Sequence, residues 1–153
     1  MIGSPDRAPR SWLLCRIGRR LCGLPLDHVV ETMRLLPIEP LADAPPFVLG
    51  LALVRGAPVP VADIGVLFGE PEPRPQRMVT LDAGGRLVAL VAEAVLGVRA
   101  IDAATSSDLP PLLQAAASGL VTAVGMLDAE LLLFLHTARI VPVALLAAGA
   151  AAL

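Results

Sequence analysis

The stretch of residues 47–69, FVLGLALVRGAPVPVADIGVLFG, decides the fold. Its only charged residues are Arg55 and Asp63, so almost every other side chain must be buried on folding or lie against a partner. Two apolar runs, 49–54 and 59–64, flank the turn-forming sequence Arg-Gly-Ala-Pro. This pattern predicts a β-hairpin with an arginine at its tip, followed by a short helix.

Strands are also predicted on both sides of this hairpin. Short apolar runs at close spacing, with little sequence of helical period between them, are typical of an all-β fold with small helices. Asp27 is a candidate cap for a short turn of helix over 30–33, and a terminal helix is predicted from residue 137. The predicted strand pairs are 12–17 with 21–26, 78–81 with 87–91, and 119–124 with 131–135.

Four pieces of the chain share their order and residue types with one known pattern. The hairpin carries GLALVRG over 50–56 and PVADI over 60–64, which is similar to the pattern G-V-x-N-L-R-G-x-x-x-P-V-x-D-L of the CheW-like domain, the adaptor module of bacterial chemotaxis. The other pieces are APPFVLG, which leads into it, LDHVVE, which resembles an I-x-x-V-x-E-I strand and turn, and GMLDAELLLFLH, which resembles the closing hairpin. The resemblance covers about residues 12–141.

The resemblance implies a definite fold and domain organisation. CheW-like domains are two five-stranded, SH3-like β-barrels packed around a shared apolar core, with an exposed groove at their junction. The proline-rich segment EPEPRPQR predicts a stiff connector between the two units. The expected divisions are a flexible leader at 1–11, a CheW-like domain at 12–141 and an Ala-rich tail or helix at 142–153. Within that domain we expect a first barrel mainly at 12–69, the connector at 70–77 and a second barrel mainly at 78–141.

Composition argues against two classes of function. The 12 basic and 14 acidic residues nearly balance, which is not the charge of a nucleic-acid surface. Hydrophobic residues make up 56 %, so a membrane segment has to be weighed. The most apolar run, 140–153, is shorter than the roughly 20 residues of a spanning helix, and Pro142 interrupts it. We therefore expect a cytoplasmic protein without direct membrane insertion, whose surplus aliphatic side chains form sticky faces.

No set of residues assembles an active site. The chain lacks a Gly-x-Ser-x-Gly elbow, a phosphate-binding loop and a dinucleotide fingerprint. Cys15 and Cys22 lie on the two arms of the first hairpin, where two reduced core thiols are favoured over a disulfide or a redox switch. The cysteines and histidines do not have zinc-site spacing. We expect no catalytic activity, metal or cofactor.

Five residues are candidates for partner binding: Val29, Glu31, Gly50, Arg55 and Gly56. The residues alone leave other interpretations open, namely a core valine, a surface acid, two glycines needed by the backbone and a solvated turn arginine. The resemblance implies that Arg55 lies on the partner-contact surface, where its guanidinium can meet a carboxylate bidentately. Glu31 is expected to add polar specificity if it faces the same groove.

The resemblance also implies a function and partners. We expect a non-catalytic adaptor that couples the cytoplasmic tip of methyl-accepting chemoreceptors to the regulatory domain of a CheA-type histidine kinase, recruited to membrane-associated receptor arrays. Leu53 stands where the pattern has Asn, and Ala89 replaces a frequent Gly, so the partners can be divergent. The alternatives are a CheW-like regulatory module of a non-chemotactic two-component pathway, such as surface motility, and a β-barrel that binds a membrane surface or a small ligand.

Overall fold

The computed structural model describes residues 10–69, 75–102, 106–108 and 120–136. In these ranges the chain forms eleven strands and two short 3₁₀ helices, the first at Leu26–His28 and the second at Ile64–Phe68. The strands are β1 (Arg10–Ile17), β2 (Arg20–Pro25), β3 (Val29–Arg34), β4 (Val48–Val54), β5 (Ala57–Ala62), β6 (Arg77–Asp82), β7 (Leu87–Ala92), β8 (Ala94–Ile101), β9 (Ser106–Asp108), β10 (Val121–Leu127) and β11 (Glu130–Leu135).

The strands form two sheets. One has the order β3-β6-β7-β5-β4 and the other the order β8-β1-β2-β11-β10-β9. The prediction of an all-β fold built from two packed β units is confirmed. The two expected five-stranded barrels correspond to two sheets whose strand ladders do not close, one of which has the short β9 as a sixth strand. In the five-stranded sheet a single bridge between Glu39 and Leu51 links the chain after β3 to the free edge of β4.

The sheets do not divide the chain at the proline-rich connector. The sequence predicts a first barrel mainly at 12–69 and a second barrel mainly at 78–141. In the structure β1 and β2 instead join the late strands, because β1 pairs with β8 and β2 pairs in parallel with β11. β6 and β7 in turn pair with β3 and β5. The five-stranded sheet is therefore one continuous segment between the two parts of the six-stranded sheet.

Three apolar cores hold the sheets within the described ranges. The largest draws on both sheets, with Leu24 from β2, Leu81 and Leu90 from β6 and β7, and Leu135 from β11, and it is the shared core that the resemblance implied. A second core lies within the five-stranded sheet and a third within the six-stranded sheet. In the third, the rings of Trp12 and Phe134 meet edge to face with their centroids 4.7 Å apart.

Several local predictions have clear outcomes. Cys15 lies opposite Cys22 in the first hairpin, and both thiols are free and buried; burial raises the pKa of both, that of Cys15 to about 12. The helical turn expected at 30–33 is wrong, because VVETMR alternates half-buried and exposed side chains and forms β3. No helix of the described ranges has the length and apolar character to span a bilayer. The predictions for residues 1–9, 70–74, 109–119 and 137–153 concern parts of the chain outside the described residues.

Candidate partner-binding site

The tip of the β4–β5 hairpin is a two-residue turn. Val54 pairs with Ala57, which leaves Arg55 and Gly56 as the loop, with φ angles of 51° and 81°. Two consecutive positive φ angles are typical of a type I′ turn, which matches the right-handed twist of the strands and favours Asn-Gly. Arginine is an uncommon residue in this conformation. The turn projects the Arg55 side chain into solvent, where 80 % of it is exposed.

The Arg55 guanidinium is held by a carboxylate of the same chain. Its Nε donates to Oε1 of Glu31 at 2.9 Å, and its Nη2 donates to Oε2 at 2.8 Å. These hydrogen bonds lower the pKa of Glu31 and raise that of Arg55. A guanidinium carries five N–H donors, so three remain for another molecule. Glu31 thus occupies one bidentate edge of the guanidinium, the kind of contact that was expected from a partner's carboxylate.

This ion pair joins the two edges of the five-stranded sheet. Glu31 lies on β3, one outer strand, whereas Arg55 follows β4, the other outer strand. A contact between them requires the sheet to curl until its edges approach. The same approach is made by Glu39 and Leu51, whose main-chain groups exchange hydrogen bonds of 2.7 and 2.8 Å. The Arg55 side chain is therefore fixed by nonlocal contacts rather than by its turn alone.

Gly50 and Gly56 have different roles in this hairpin. Gly50 is buried with φ 144°, and a Cβ there would overlap the carbonyl oxygen of Glu39. It is needed for the chain after β3 to pass over β4. Gly56 is exposed with φ 81°, and a Cβ there would point into open space. Gly50 thus shapes the buried base of the hairpin, whereas Gly56 is part of its exposed tip.

Exposed aliphatic side chains flank the ion pair. Leu53 on β4 is 69 % exposed and Val30 on β3 is 55 % exposed. Beside the tip lies a groove of about 420 Å³ with a mostly apolar lining. The groove is lined by Pro37, Glu39, Leu51, Ala52, Leu53 and Pro58.

The structure brings together only part of the predicted set. Glu31, Arg55 and Gly56 lie at the tip, whereas Val29 is half-buried and packs against the shared core. Sequence analysis missed Val30 as a surface residue. Val30 lies at an irregularity in the pairing of β3 with β6, which the local pattern VVE does not reveal.

The acidic residue of the 47–69 stretch has a structural role. Asp63 is 3 % exposed, and its Oδ1 accepts a hydrogen bond of 2.9 Å from the N–H of Gly65, which caps the second 3₁₀ helix. Burial raises the pKa of this carboxyl. The described residues hold no cluster of three or more His, Cys, Asp or Glu side chains suited to a metal ion.

Comparison with known proteins agrees with this architecture. The sequence profile of the CheW-like domain matches residues 11–144, which is most of the chain. The chain belongs to the CheW-like domain family. It is 36 % identical to Protein FrzA of Myxococcus xanthus over 155 aligned positions, which cover 89 % of this chain and 96 % of that protein.

A solved structure supports the fold of this CheW-like protein. The crystal structure of the scaffolding protein TtCheW from Thermoanaerobacter tengcongensis superimposes with a TM-score of 0.74 and covers 84 % of this chain and 89 % of that one. The sequence identity is 22 %, so the likeness concerns the fold alone. The resemblance of the four sequence pieces to the CheW-like domain is confirmed.

Proposed function

We propose that this CheW-like protein is a non-catalytic signal-transduction adaptor that couples chemoreceptors to a CheA-type histidine kinase. The observation that carries the proposal is the exposed hairpin tip, where Glu31 orients Arg55, and the exposed residues Leu53 and Val30 are near neighbours in sequence of these two ion-paired residues. An oriented arginine with exposed aliphatic residues nearby in the chain is typical of an interface centre.

The ion pair prepares Arg55 for binding. Because Glu31 holds one side of the guanidinium, a partner does not have to immobilise a freely rotating side chain, and the entropic cost of association falls. The pair is neutral as a whole, so the remaining N–H donors suit carbonyl oxygens as well as carboxylates. Leu53 and Val30 supply apolar area that association removes from water.

Signal transfer through an adaptor is a matter of linkage. The receptor tip and the kinase regulatory domain must each bind the adaptor, and the two interfaces must together favour one kinase state over the other. A coupling free energy of about 1–3 kcal/mol between the sites is typical. On this view the protein is recruited to receptor arrays by binding and needs no membrane segment of its own.

A second candidate function is regulation in a non-chemotactic two-component pathway. The observation that favours it is Leu53, which is 69 % exposed at a position where the family pattern has Asn. A polar residue beside the arginine is thereby replaced by an aliphatic one, which changes the partner that the tip recognises best. The fold and the hairpin tip are compatible with both candidate functions, and the identity of the partner distinguishes them.

The test of the first candidate is the affinity of Arg55→Ala for a receptor-tip fragment and for the kinase regulatory domain, measured by titration calorimetry. We expect binding of at least one partner to weaken about tenfold or more, because the substitution removes a central arginine. The thermal unfolding midpoint should stay close to that of the wild type, because an ion pair with an exposed arginine contributes little to stability. Arg86→Ala is the matched control, since Arg86 is exposed in the turn of another hairpin. Unchanged dissociation constants for both partners would contradict the proposal.

Leu53→Asn distinguishes the two candidates. If the partners are chemotaxis receptors and their kinase, restoring the family's polar residue strengthens binding to those fragments. If the partners are divergent, the same substitution weakens binding to the receptor and kinase recovered with the wild-type protein from its own cells. Co-sedimentation with liposomes addresses the remaining alternative, because an adaptor stays in the supernatant when no receptor is present.

A further inference from the structure

A buried hydroxyl contacts the main chain of Glu31. The N–H of Glu31 donates to Oγ1 of Thr80 at 3.2 Å, and the same Oγ1 donates to the carbonyl oxygen of Glu31 at 3.3 Å. Thr80 lies on β6 and is 0 % exposed. With Asp63 it is one of two buried polar side chains in the described part of the chain. A buried hydroxyl needs hydrogen-bond partners, and Glu31 supplies both a donor and an acceptor.

These contacts coincide with an irregularity in the β3–β6 ladder. Val29 lies opposite Leu81 and Glu31 lies opposite Thr80, so two steps along β3 correspond to one step along β6. Val30 is the extra residue of a β-bulge, and its side chain is 55 % exposed. The bulge thus accounts for one of the two aliphatic side chains at the tip.

The bulge also decides which way Glu31 points. Thr80 and Leu81 are adjacent on β6, so their side chains lie on opposite faces of the sheet, and the residues opposite them do likewise. Val29 packs against the shared core on the face of Leu81. In a regular strand Glu31 would share the face of Val29 and its carboxylate would turn towards that core. The extra residue places Glu31 on the other face, where it meets Arg55.

We propose that Thr80 is the positioning residue of the tip: its hydroxyl holds the bulge that exposes Val30 and directs Glu31 onto Arg55. This inference rests on the proposed function only for its consequence in binding. The positioning itself is a property of the free protein. Thr80 does not touch the partner; it acts through Glu31.

The test uses a nearly isosteric pair of variants and a control in the other sheet. Thr80→Val removes the hydroxyl and keeps the shape, whereas Thr80→Ser keeps the hydroxyl. Thr122→Val is the control, because Thr122 Oγ1 donates to the carbonyl oxygen of Phe134 at 3.4 Å in the other sheet. The readouts are hydrogen exchange of the Glu31 amide and NMR titration of the Glu31 carboxyl.

In Thr80→Val we expect the Glu31 amide to exchange about tenfold faster or more, as for the loss of one hydrogen bond, and the pKa of Glu31 to rise towards its ordinary value. Thr80→Ser and Thr122→Val should keep the wild-type values of both. Wild-type exchange and titration in Thr80→Val would overturn the inference. If Thr80→Val does not fold, an unprotected Glu31 amide in the wild-type protein would overturn it equally.

Binding of the receptor-tip fragment separates this inference from the proposed function. A shifted Glu31 titration with weaker binding supports both. A shifted titration with unchanged binding supports the role of Thr80 and contradicts the role of the ion pair in partner contact. An unshifted titration, with binding still lost in Arg55→Ala, overturns the role of Thr80 and leaves the function standing.

Discussion

Two hairpin tips of this protein share one backbone design and carry opposite charges. The first tip is Arg55-Gly56, between β4 and β5, and the second tip is Asp128-Ala129, between β10 and β11. All four residues have positive φ angles, from 51° to 81°. Each tip forms an ion pair with an outer strand of its own sheet, the first with Glu31 on β3 and the second with Arg99 on β8.

The two ion pairs differ in geometry. At the first tip two hydrogen bonds of 2.8 and 2.9 Å hold the guanidinium in one orientation. At the second tip one Nη1–Oδ2 contact of 3.9 Å joins side chains that are 50 % and 80 % exposed. A contact of that length between exposed charges contributes little to stability or orientation. A tight turn therefore does not orient its side chain by itself; the first tip is distinguished by the fixed orientation of its arginine.

The largest expected effect concerns the base of the first hairpin. Gly50→Ala places a Cβ on the carbonyl oxygen of Glu39 and imposes φ 144° on a residue with a side chain. We expect a loss of more than about 2 kcal/mol in the free energy of unfolding, measured by urea denaturation. A variant with wild-type stability would show that the chain after β3 does not pass over β4 as described.

A smaller, reciprocal effect is expected at the second position of each tip. Gly56→Ala puts Ala into a left-handed turn, whereas Ala129→Gly relieves the same strain at φ 64°. The left-handed conformation penalises Ala, whereas the greater chain entropy of Gly in the unfolded state partly offsets this difference. We therefore expect the free energy of unfolding to fall by about 0.5–1 kcal/mol in Gly56→Ala and to rise by a similar amount in Ala129→Gly. Urea denaturation measures both. Changes of the same sign would mean that the two turns are not equivalent.

The stability of the wild type and that of Arg55→Ala should depend differently on pH in the acid range. Because the folded-state pKa of Glu31 lies below its ordinary value of 4.5, the ion pair adds stability above the unfolded-state pKa and loses it as the pH falls through the folded-state pKa. In Arg55→Ala the pKa of Glu31 should rise towards the ordinary value and this part of the acid dependence should vanish. Carbon-detected NMR titration of the Glu31 carboxyl checks the shift; an unshifted carboxyl in the variant would contradict the assigned cause.

Local sequence predicted much of the fold and half of the candidate site. The run over 47–69 predicted the hairpin, its arginine tip and the short helix, because turn residues and apolar alternation are local signals. The direction of Glu31 was not predictable, since it depends on a bulge that only the pairing of β3 with β6 reveals. The division into sheets failed for a similar reason. Prolines mark a connector but do not specify which distant strands pair.

Thr80 shows how a nonlocal role can leave a weak trace in sequence. The strand RMVTLD is buried at its four central positions, and Thr80 is the polar residue among them. A polar residue in a fully buried run indicates that some partner satisfies it. The sequence does not say which partner. The structure identifies the main chain of Glu31, which lies 49 residues away.

The most direct test of the central claim is an exchange of charges at the first tip, Arg55→Glu combined with Glu31→Arg, followed by calorimetric titration with the receptor-tip fragment and the kinase regulatory domain. The exchange keeps an ion pair between the two outer strands but moves the guanidinium from the β4–β5 turn to β3. The corresponding exchange at the second tip, Arg99→Asp with Asp128→Arg, is the control. We predict a wild-type unfolding midpoint with binding weakened about tenfold or more in the first exchange only. Wild-type binding of both partners by the first exchange would show that the ion pair only holds the sheet together, and would contradict the account.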